Sequence, residues 1–316
     1  MAKFRVFVDG QEGTTGLEIH DRLQKRDDVE ILPIDPEKRK DPGERKKLIN
    51  EADVVFLCLP DDAAKESVSL AGNPSTGIID CSTAHRTAAG WDYGIPELSA
   101  DHRKSIQNSK RVSNPGCFAT GFNTLIYPLV RESIVQADYP LCCHAVTGYS
   151  GGGRMLIERF ESGVNRAKLE SPSFYSLGLC HKHLPEMRKH SLLSHNPIFT
   201  PIVCNFYRGM TVAVPLCSDL LPKKTTASMI GEFYRDYYRG RKFVKAMPAD
   251  SQDGLEWGYL NAQGCNFTNN IELYVFGDDR QILVMARLDN LGKGASGAAV
   301  QNMNLMLSLD ESQGLE

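Results

Sequence analysis

Of the nine cysteines, Cys117 occupies the position that best suits nucleophilic chemistry. It follows Asn114, Pro115 and Gly116 and precedes an apolar stretch that extends to Leu129. Asparagine is a common helix N-cap and proline suits the first helical position, so this order predicts that Cys117 lies in the first turn of a helix. The helix dipole lowers the pKa of a thiol there and stabilises the thiolate. We interpret Cys117 as a covalent nucleophile, with a buried structural cysteine as the alternative.

A thiolate nucleophile needs a proton partner, and histidine is the usual one near neutral pH. Two of the eight histidines, His181 and His183, alternate along a segment that we predict to be extended, so their side chains point to the same side. We predict acid–base chemistry and phosphate contact for this pair, but the residues do not decide which histidine moves the proton. Metal binding is the alternative; because no third ligand has suitable spacing, we expect no metal.

A glycine-rich loop follows the first strand-like segment. Gly10, Gly13 and Gly16 have the spacing G-x-x-G-x-x-G, with Thr14 and Thr15 among them, and a helix-like segment follows. Glycines permit a tight turn and a close approach of the backbone to a pyrophosphate, which the N–H groups of the helix start then bind. An ordinary glycine-rich turn is the alternative, but the position between a strand and a helix favours dinucleotide binding.

The residues after the second predicted strand give conflicting indications of cofactor preference. Asp35 stands where an acid often binds the ribose 2′-hydroxyl, which favours NAD. Lys38, Arg39 and Lys40 follow, and a basic cluster there can hold a 2′-phosphate, which favours NADP. The basic run is equally compatible with a solvated loop. The residues therefore leave the choice between NAD and NADP open.

A second glycine-rich segment, residues 148–154, offers polar donors with little side-chain bulk. Gly148, Ser150 and Arg154 suit the binding of a polar, acyl-bearing substrate. A flexible connection between elements explains the same composition equally well.

The elements that must position these residues alternate between strand and helix in the first third of the chain. Strands alternating with helices imply βαβ units and a doubly wound parallel sheet, in which ligands bind at the carboxyl ends of the strands. The predicted strands are residues 4–8, 29–34, 54–59 and 77–80, and the predicted helices are 17–23, 44–51 and 61–70.

The middle of the chain has a different pattern. Residues 271–276 and 282–288 form a predicted hairpin, and 141–149 and 211–216 are further strands, which indicates a mixed or antiparallel sheet. We expect an α/β fold with a dinucleotide-binding Rossmann domain over residues 1–115 and an α+β catalytic domain over 116–290. The C-terminal segment 291–316, with a predicted helix, is expected to complete the first domain.

Composition excludes several other classes of protein. The net charge of −3 is too small to indicate a nucleic-acid or membrane-surface partner, and no apolar run is long enough to span a membrane. An odd number of cysteines without C-x-x-C spacing, and no signal peptide, predict free thiols and a cytoplasmic location. Cys58, inside an apolar strand, is expected to be a buried small hydrophobe.

Six segments in order resemble the N-acetyl-gamma-glutamyl-phosphate reductase family, in its shorter bacterial form. This family is the arginine-biosynthetic relative of aspartate-semialdehyde dehydrogenase. No one segment is decisive, but the ordered set spans almost the whole chain and is highly specific. The segments are residues 8–16, 80–86, 93–98, 114–117, 181–186 and 289–297.

The resemblance implies a phosphorylating aldehyde dehydrogenase that reduces an acyl phosphate through a thioester on Cys117, with NADP(H) as cofactor. It implies His181 and His183 as the base segment and Arg86 as a phosphate contact. It also implies a homodimer or homotetramer assembled through the sheet of the second domain. The remaining expected contacts are Ser82, Asn290 and Gly294 for the cofactor and Asn114 for the substrate.

Two other functions remain as alternatives. One is a reductase of the aspartate-semialdehyde dehydrogenase type that acts on another acyl phosphate. The other is a nucleotide-binding redox sensor without turnover, in which Cys117 is oxidised. A metal-binding hydrolase is more distant.

Overall fold

The computed structural model describes residues 3–164 and 166–315 and divides into two compact units. The first unit comprises Met1–Gly116 together with Ala295–Glu316, and the second comprises Cys117–Gly294. Within the described residues, no helix is long and apolar enough to cross a membrane.

The first unit contains a six-stranded sheet whose strands are all parallel, in the order β2-β1-β3-β4-β6-β5. Its strands are β1 (Phe4–Asp9), β2 (Val29–Ile31), β3 (Val54–Leu57), β4 (Gly77–Asp80), β5 (Asp92–Tyr93) and β6 (Arg111–Ser113). Its first four helices are α1 (Thr14–Gln24), α2 (Pro42–Glu51), α3 (Asp61–Leu70) and α4 (Ala100–Asn108).

The central strand β3 explains why helices must cover both faces of this sheet. All four of its residues are apolar and buried, so neither face tolerates water. On one face Val55 packs with Phe7 and Ile78 against Ile49 of α2 and Ala64 of α3. The doubly wound arrangement predicted from the alternating pattern is confirmed.

The second unit contains a seven-stranded mixed sheet in the order β11-β14-β15-β10-β7-β9-β8. The β14–β15 hairpin is antiparallel and the β7–β9 pair is parallel, which confirms the predicted mixed sheet. The strands of this sheet are β7 (Cys142–Gly148), β8 (Ser173–Phe174), β9 (Ile198–Cys204), β10 (Met210–Cys217), β11 (Val244–Ala246), β14 (Ile271–Gly277) and β15 (Gln281–Leu288). A separate two-stranded sheet is formed by β12 (Leu255–Glu256) and β13 (Tyr259–Leu260). The helices are α5 (Cys117–Arg131), α6 (Arg154–Glu161), α7 (Arg166–Leu169), α8 (Leu184–His190) and α9 (Ala227–Tyr237).

Helix α5 lies against this sheet and is buried almost along its whole length. A β-carbon on Gly121 would come within 2.7 Å of Val212 Cγ2, so glycine sets how closely α5 approaches β10. Pro128 lies inside the helix and has no N–H to donate to the carbonyl of Thr124. The hydroxyl of Tyr238 donates to that carbonyl at 2.6 Å and satisfies it. The residue that begins α5 is therefore held by a rigid, closely packed element.

The last helix, α10 (Gly297–Met306), belongs to the first unit, where it contacts α1, α4 and β4. Its polar side chains are buried rather than solvated. Gln301 donates to Glu97 Oε1 at 2.8 Å, and Asn302 donates to the carbonyl of Gly94 at 3.0 Å. These bonds satisfy polar groups that would otherwise be costly to bury.

Candidate active site

Cys117 is the first residue of α5, and no acidic residue lies in the first turn of that helix. The predicted helix-start position of the cysteine is therefore confirmed, but Gly116, not Asn114, occupies the N-cap position directly before α5. The backbone N–H of Asn114 donates to the carbonyl of Asp80 at 2.7 Å, so the chain there still follows the parallel ladder. The Asn114 side chain instead donates to the carbonyl of Ala295 at 2.9 Å and accepts from Asn302 at 3.3 Å.

Gly294 lies directly against the nucleophile within the second unit. A β-carbon on Gly294 would come within 2.8 Å of Cys117 Cβ, so no larger residue fits without displacing the cysteine. The backbone N–H of Gly294 donates to the carbonyl of Asp289 at 2.9 Å. The fully buried carboxylate of Asp289 accepts from the N–H groups of Leu291 at 2.9 Å and Phe267 at 2.8 Å. Asp289 therefore fixes the backbone that packs on Cys117.

Asn290 connects this backbone to the second glycine-rich segment. Its Nδ2 donates to Ser150 Oγ at 3.0 Å, and its Oδ1 accepts from the N–H of Gly209 at 2.8 Å. Both Asn290 and Ser150 are buried. The structure thus joins one residue predicted for the cofactor and one predicted for the substrate in a single hydrogen-bonded network.

The histidine pair lies in a turn, so the extended segment predicted for it is wrong. The N–H of Leu184 donates to the carbonyl of His181 at 3.0 Å, and α8 begins at Leu184. The N–H of His183 donates to His181 Nδ1 at 3.1 Å, and this bond favours the tight turn over an extended chain. The two rings still lie together, with centroids 4.7 Å apart, and both contact the ring of Phe118.

The bond from His183 determines the tautomer of neutral His181. Because Nδ1 accepts, the ring proton lies on Nε2, which makes that nitrogen the donor. The ring of His181 also packs edge-on against Tyr175, with centroids 5.8 Å apart. Burial, and the charge of Cys117 in addition, raise the pKa of Tyr175. The charge of Cys117 thus affects the pKa of Tyr175, and the ring of His181 packs against the same side chain.

A cavity of about 640 Å³ opens beside these residues. A β-carbon on Gly148 would come within 2.6 Å of the carbonyl of Tyr207, so glycine is required at the edge of the cavity. Arg154 is exposed and its Nε donates to Glu158 at 2.7 Å along α6, whereas Arg159 lines the cavity. The lining residues that bear polar or charged side chains are Thr147, Arg159, Tyr175, His181 and Lys182.

In the first unit, two of the three loop glycines are required by their surroundings. Gly10 has φ of +89°, and a β-carbon there would come within 2.4 Å of the carbonyl oxygen of Cys58. A β-carbon on Gly16 would come within 2.5 Å of the Gly10 carbonyl, whereas on Gly13 the nearest atom would be 3.6 Å away. Thr14 begins α1, whose first turn carries no acidic residue. The loop therefore presents an uncompensated helix N-terminus, which suits a pyrophosphate.

We expect Gly10→Ala to lower the free energy of unfolding by about 2 kcal/mol or more, because the new β-carbon is strained at positive φ and overlaps the Cys58 carbonyl. Gly13→Ala is the matched control and should change that free energy by less than about 0.5 kcal/mol. Denaturant unfolding of the two variants measures the difference. Equal losses would show that the loop does not depend on this close approach.

A second cavity, of about 240 Å³, adjoins the glycine loop. Arg39 and Lys40 line it, and Arg39 forms an ion pair with Glu12; Lys38 does not appear among the lining residues. The carboxylate of Asp35 is turned back to accept from the N–H of Glu37 at 3.0 Å. Arg39 and Lys40, rather than Asp35, therefore line the cavity, together with the acids Asp9 and Glu12.

Cys58 also lines this cavity and is only half-buried, so the expectation that it is a buried core residue is wrong. Strand β3 ends at Leu57, one residue earlier than Cys58. The apolar run thus continues past the strand into the wall of the cavity.

A buried carboxylate organises residues 80–86. Asp80 is fully buried and accepts from Ser82 Oγ at 2.8 Å and binds His85 Nδ1 at 2.6 Å. Arg86 is also buried; its Nε donates to the carbonyl of Asn114 at 3.0 Å and its Nη2 to that of Cys81 at 3.2 Å. Ser82 and Arg86 thus lie at the carboxyl end of β4, where a doubly wound sheet binds ligands.

Two family models match this chain, one over most of the first unit and one over the second. Residues 5–106 match the model described as the semialdehyde dehydrogenase NAD binding domain, and residues 117–290 match the semialdehyde dehydrogenase dimerisation domain. N-acetyl-gamma-glutamyl-phosphate reductase 2 of Nostoc sp. is 46% identical over 100% of both chains. The corresponding protein of Pseudomonas putida is 45% identical over 98% of both.

The chain belongs to the N-acetyl-gamma-glutamyl-phosphate reductase family. It is therefore an oxidoreductase whose first unit carries a nicotinamide dinucleotide site. Among solved structures, aspartate semialdehyde dehydrogenase II of Vibrio cholerae has a TM-score of 0.73 at 14% identity, covering 98% of this chain and 99% of that one. The aspartate semialdehyde dehydrogenase of Francisella tularensis has a TM-score of 0.69 at 16% identity, covering 96% and 100%. Identities this low support the fold alone.

Sequence analysis missed a buried ion pair beneath the glycine loop of this reductase family member. Asp9 Oδ2 accepts from Arg45 at 3.1 Å and from Ser67 Oγ at 2.8 Å, and all three side chains are buried. A charged residue on a predicted surface helix is usually solvated, so Arg45 gave no indication of this role. The only available signal was the acid directly before Gly10. The bonds tie α2 and α3 to the end of β1, from which the loop starts.

Proposed function

We propose that this chain reduces N-acetyl-gamma-glutamyl phosphate to N-acetylglutamate semialdehyde and phosphate, with NADPH as the reductant, as a step of arginine biosynthesis. The relatives that match the full length carry the name of this reaction. The observation that carries the proposal is the position of Cys117 at the start of α5, where Gly294 packs on it and the ring of His181 packs against the next residue, Phe118. We assign the nucleotide to the first unit and the covalent chemistry to the second.

The first proposed step is attack of the Cys117 thiolate on the acyl carbon. The N-terminus of α5 stabilises the thiolate, and its N–H groups favour the oxyanion that forms on the acyl oxygen. The C–O bond to phosphate then breaks and leaves a thioester on Cys117. Arg86 stays a predicted phosphate contact, as do Gly148, Ser150 and Arg154 for the rest of the substrate.

The proposed proton carrier is His181. Its Nδ1 accepts from the N–H of His183, so Nε2 carries the ring proton and can donate it to the oxyanion of the thiohemiacetal and take it back when that intermediate collapses. When bound, the reduced nicotinamide supplies the hydride that converts the thioester to that thiohemiacetal. Collapse of the thiohemiacetal returns that proton to His181, releases the aldehyde and regenerates the thiolate.

The residues of the first unit fit a dinucleotide. Gly10 and Gly16 leave no room for side chains, and the N-terminus of α1 is free of acids. Arg39 and Lys40 line the adjoining cavity, which supports NADP over NAD because a 2′-phosphate needs cationic partners.

We predict that Arg39→Ala and Lys40→Ala each raise the KM for NADPH about tenfold, since one charge-assisted hydrogen bond contributes about 1.5–3 kcal/mol. The KM for NADH should change little. Lys38→Ala is the control from the same basic run and should leave both values nearly unchanged. Steady-state kinetics with the two cofactors measures the effect, and an equal loss with NADH would contradict a 2′-phosphate contact.

We infer that copies of the chain associate through the second unit, whose family model is described as a dimerisation domain. Helices α5 and α9 cover one face of the seven-stranded sheet. On the opposite face the apolar side chains of Val146, Ile202, Ala213 and Met285 remain partly exposed. This uncovered face supports a homodimer or homotetramer, which analytical ultracentrifugation would measure.

The reverse reaction tests the proposed function directly. N-acetylglutamate semialdehyde, phosphate and NADP should give NADPH absorbance that depends on phosphate, and aspartate semialdehyde should give none. A signal with aspartate semialdehyde alone would keep the chemistry and replace the substrate. No signal with either aldehyde would overturn the proposal.

A further inference from the structure

Two cysteines stand side by side at the carboxyl ends of neighbouring strands in the first unit. Leu57 of β3 and Asp80 of β4 are paired in a parallel register, so Cys58 and Cys81 are the next pair along the two chains. The N–H of Cys81 donates to the carbonyl of Leu57 at 2.9 Å, which continues the ladder to this point. Neighbouring strands are about 4.7–4.9 Å apart, within the about 4.4–6.8 Å that separates Cα atoms joined by a disulfide.

The two thiols are in contact. A hydrogen bond to Cys81 raises the pKa of Cys58 well above its ordinary value, and burial and the charges of Cys81, Asp80 and Asp9 raise it further. Cys58 therefore stays protonated. Since the thiolate is the reactive form, the raised pKa of Cys58 disfavours Cys58 as the sulfur that first meets an oxidant.

Both cysteines are free, and neither residue is fully buried. Cys58 lines the cavity of about 240 Å³ beside Arg39 and Lys40, and its carbonyl oxygen is the atom against which Gly10 packs. A change at Cys58 is therefore transmitted to the glycine loop. Neither cysteine is part of the chemistry proposed for Cys117.

We propose that Cys58 and Cys81 form a reversible disulfide when the protein meets hydrogen peroxide, and that this oxidation and the binding of a nucleotide at the glycine loop exclude each other. The Cys81 thiolate attacks one peroxide oxygen, which breaks the O–O bond, gives a sulfenic acid and releases water once a proton is taken up. Cys58 then attacks the Cys81 sulfur, forms the S–S bond and expels a second water. Two thiols lose two electrons to one peroxide, and a dithiol reductant reverses the change.

The disulfide itself is tested by mass spectrometry on the full chain carrying Cys117→Ser, which removes the competing nucleophile. Trypsin cleaves after Lys47, Lys65 and Arg86, so Cys58 and Cys81 fall on the separate peptides 48–65 and 66–86. We expect peroxide to join these peptides with the loss of about two mass units, and dithiothreitol to separate them. The additional substitution Cys81→Ala should abolish the joined species. Both peptides remaining separate and freely alkylated after peroxide would overturn the proposal.

The link to the nucleotide needs a second measurement and rests on the proposed cofactor site. Saturating NADP should slow formation of the joined peptides at least tenfold, and the oxidised protein should bind NADP correspondingly more weakly, because the coupling is reciprocal. Equal rates with and without NADP, on a protein shown by calorimetry to bind it, would overturn the exclusion. Failure of the reduced protein to bind NADP would count against the proposed function, while the peptide result stands by itself.

Discussion

Cys117→Ala is expected to abolish the phosphate-dependent formation of NADPH from N-acetylglutamate semialdehyde, by about 10⁴-fold or more, as loss of a covalent nucleophile does elsewhere. No other thiol can take its place, because the reacting sulfur must lie at the N-terminus of α5, where the helix dipole stabilises the thiolate. The variant should bind NADPH nearly as tightly as the parent chain, since the glycine loop belongs to the first unit.

Cys180→Ala provides the matched control for this loss. Cys180 is an exposed cysteine of the same unit and directly precedes His181. It does not lie at the start of a helix, because α8 begins only at Leu184. We expect this variant to retain nearly full turnover. Coupled absorbance assays measure turnover, and calorimetry measures the dissociation constant of NADPH. Retention of more than about 1% of turnover in Cys117→Ala would refute the thioester route.

The sequence was sufficient to predict features that depend on local spacing. The glycines at 10 and 16 identify a close-packed loop because only a missing side chain permits the approach. The helix start at Cys117 followed from local signals, yet the reason given for it was wrong, because Asn114 continues the β6 ladder through its bond to Asp80. A capping residue and a strand residue are indistinguishable until the neighbouring strand is placed.

Features that depend on distant partners could not be predicted in this way. Asp289 fixes the backbone around Cys117 only because Phe267 and Leu291 direct their N–H groups at it. Arg45 is buried because Asp9 lies beneath it, 36 positions away in the chain. Hydrophobic periodicity carries no information about such pairs, since a charged residue on a helix reads as solvent-exposed whether or not it has a buried partner.

The positions of the two histidines also depend on folded contacts that the sequence pattern did not predict. They lead to the second prediction of a large loss of kcat. An alternating pattern suggested two equivalent side chains, whereas the turn makes them unequal: the ring of His181 lines the cavity and the ring of His183 is buried. His183 supports His181 through its backbone N–H, which donates to Nδ1 at 3.1 Å. Substituting the side chain of His183 leaves that bond in place.

We therefore expect His181→Asn to lower kcat by about 10²–10⁴-fold with a small change in KM, because general acid–base catalysis contributes about that much. His183→Asn should lower kcat by less than about tenfold, because it retains the backbone donor to His181, and should instead destabilise the fold through loss of a buried ring. His195→Asn, at an exposed position of the same unit, is the control and should change neither quantity.

The pH profile separates a proton carrier from a group that only shapes the cavity. If His181 moves the proton, the profile of kcat should lose one ionisation in His181→Asn and keep it in His183→Asn. Thermal unfolding of both variants then accounts for any loss that comes from stability alone. The opposite result, in which His183→Asn removes the ionisation and His181→Asn does not, would transfer the role to His183. It would also mean that the buried ring turns towards the substrate during the reaction, because in this structure only the ring of His181 lines the cavity.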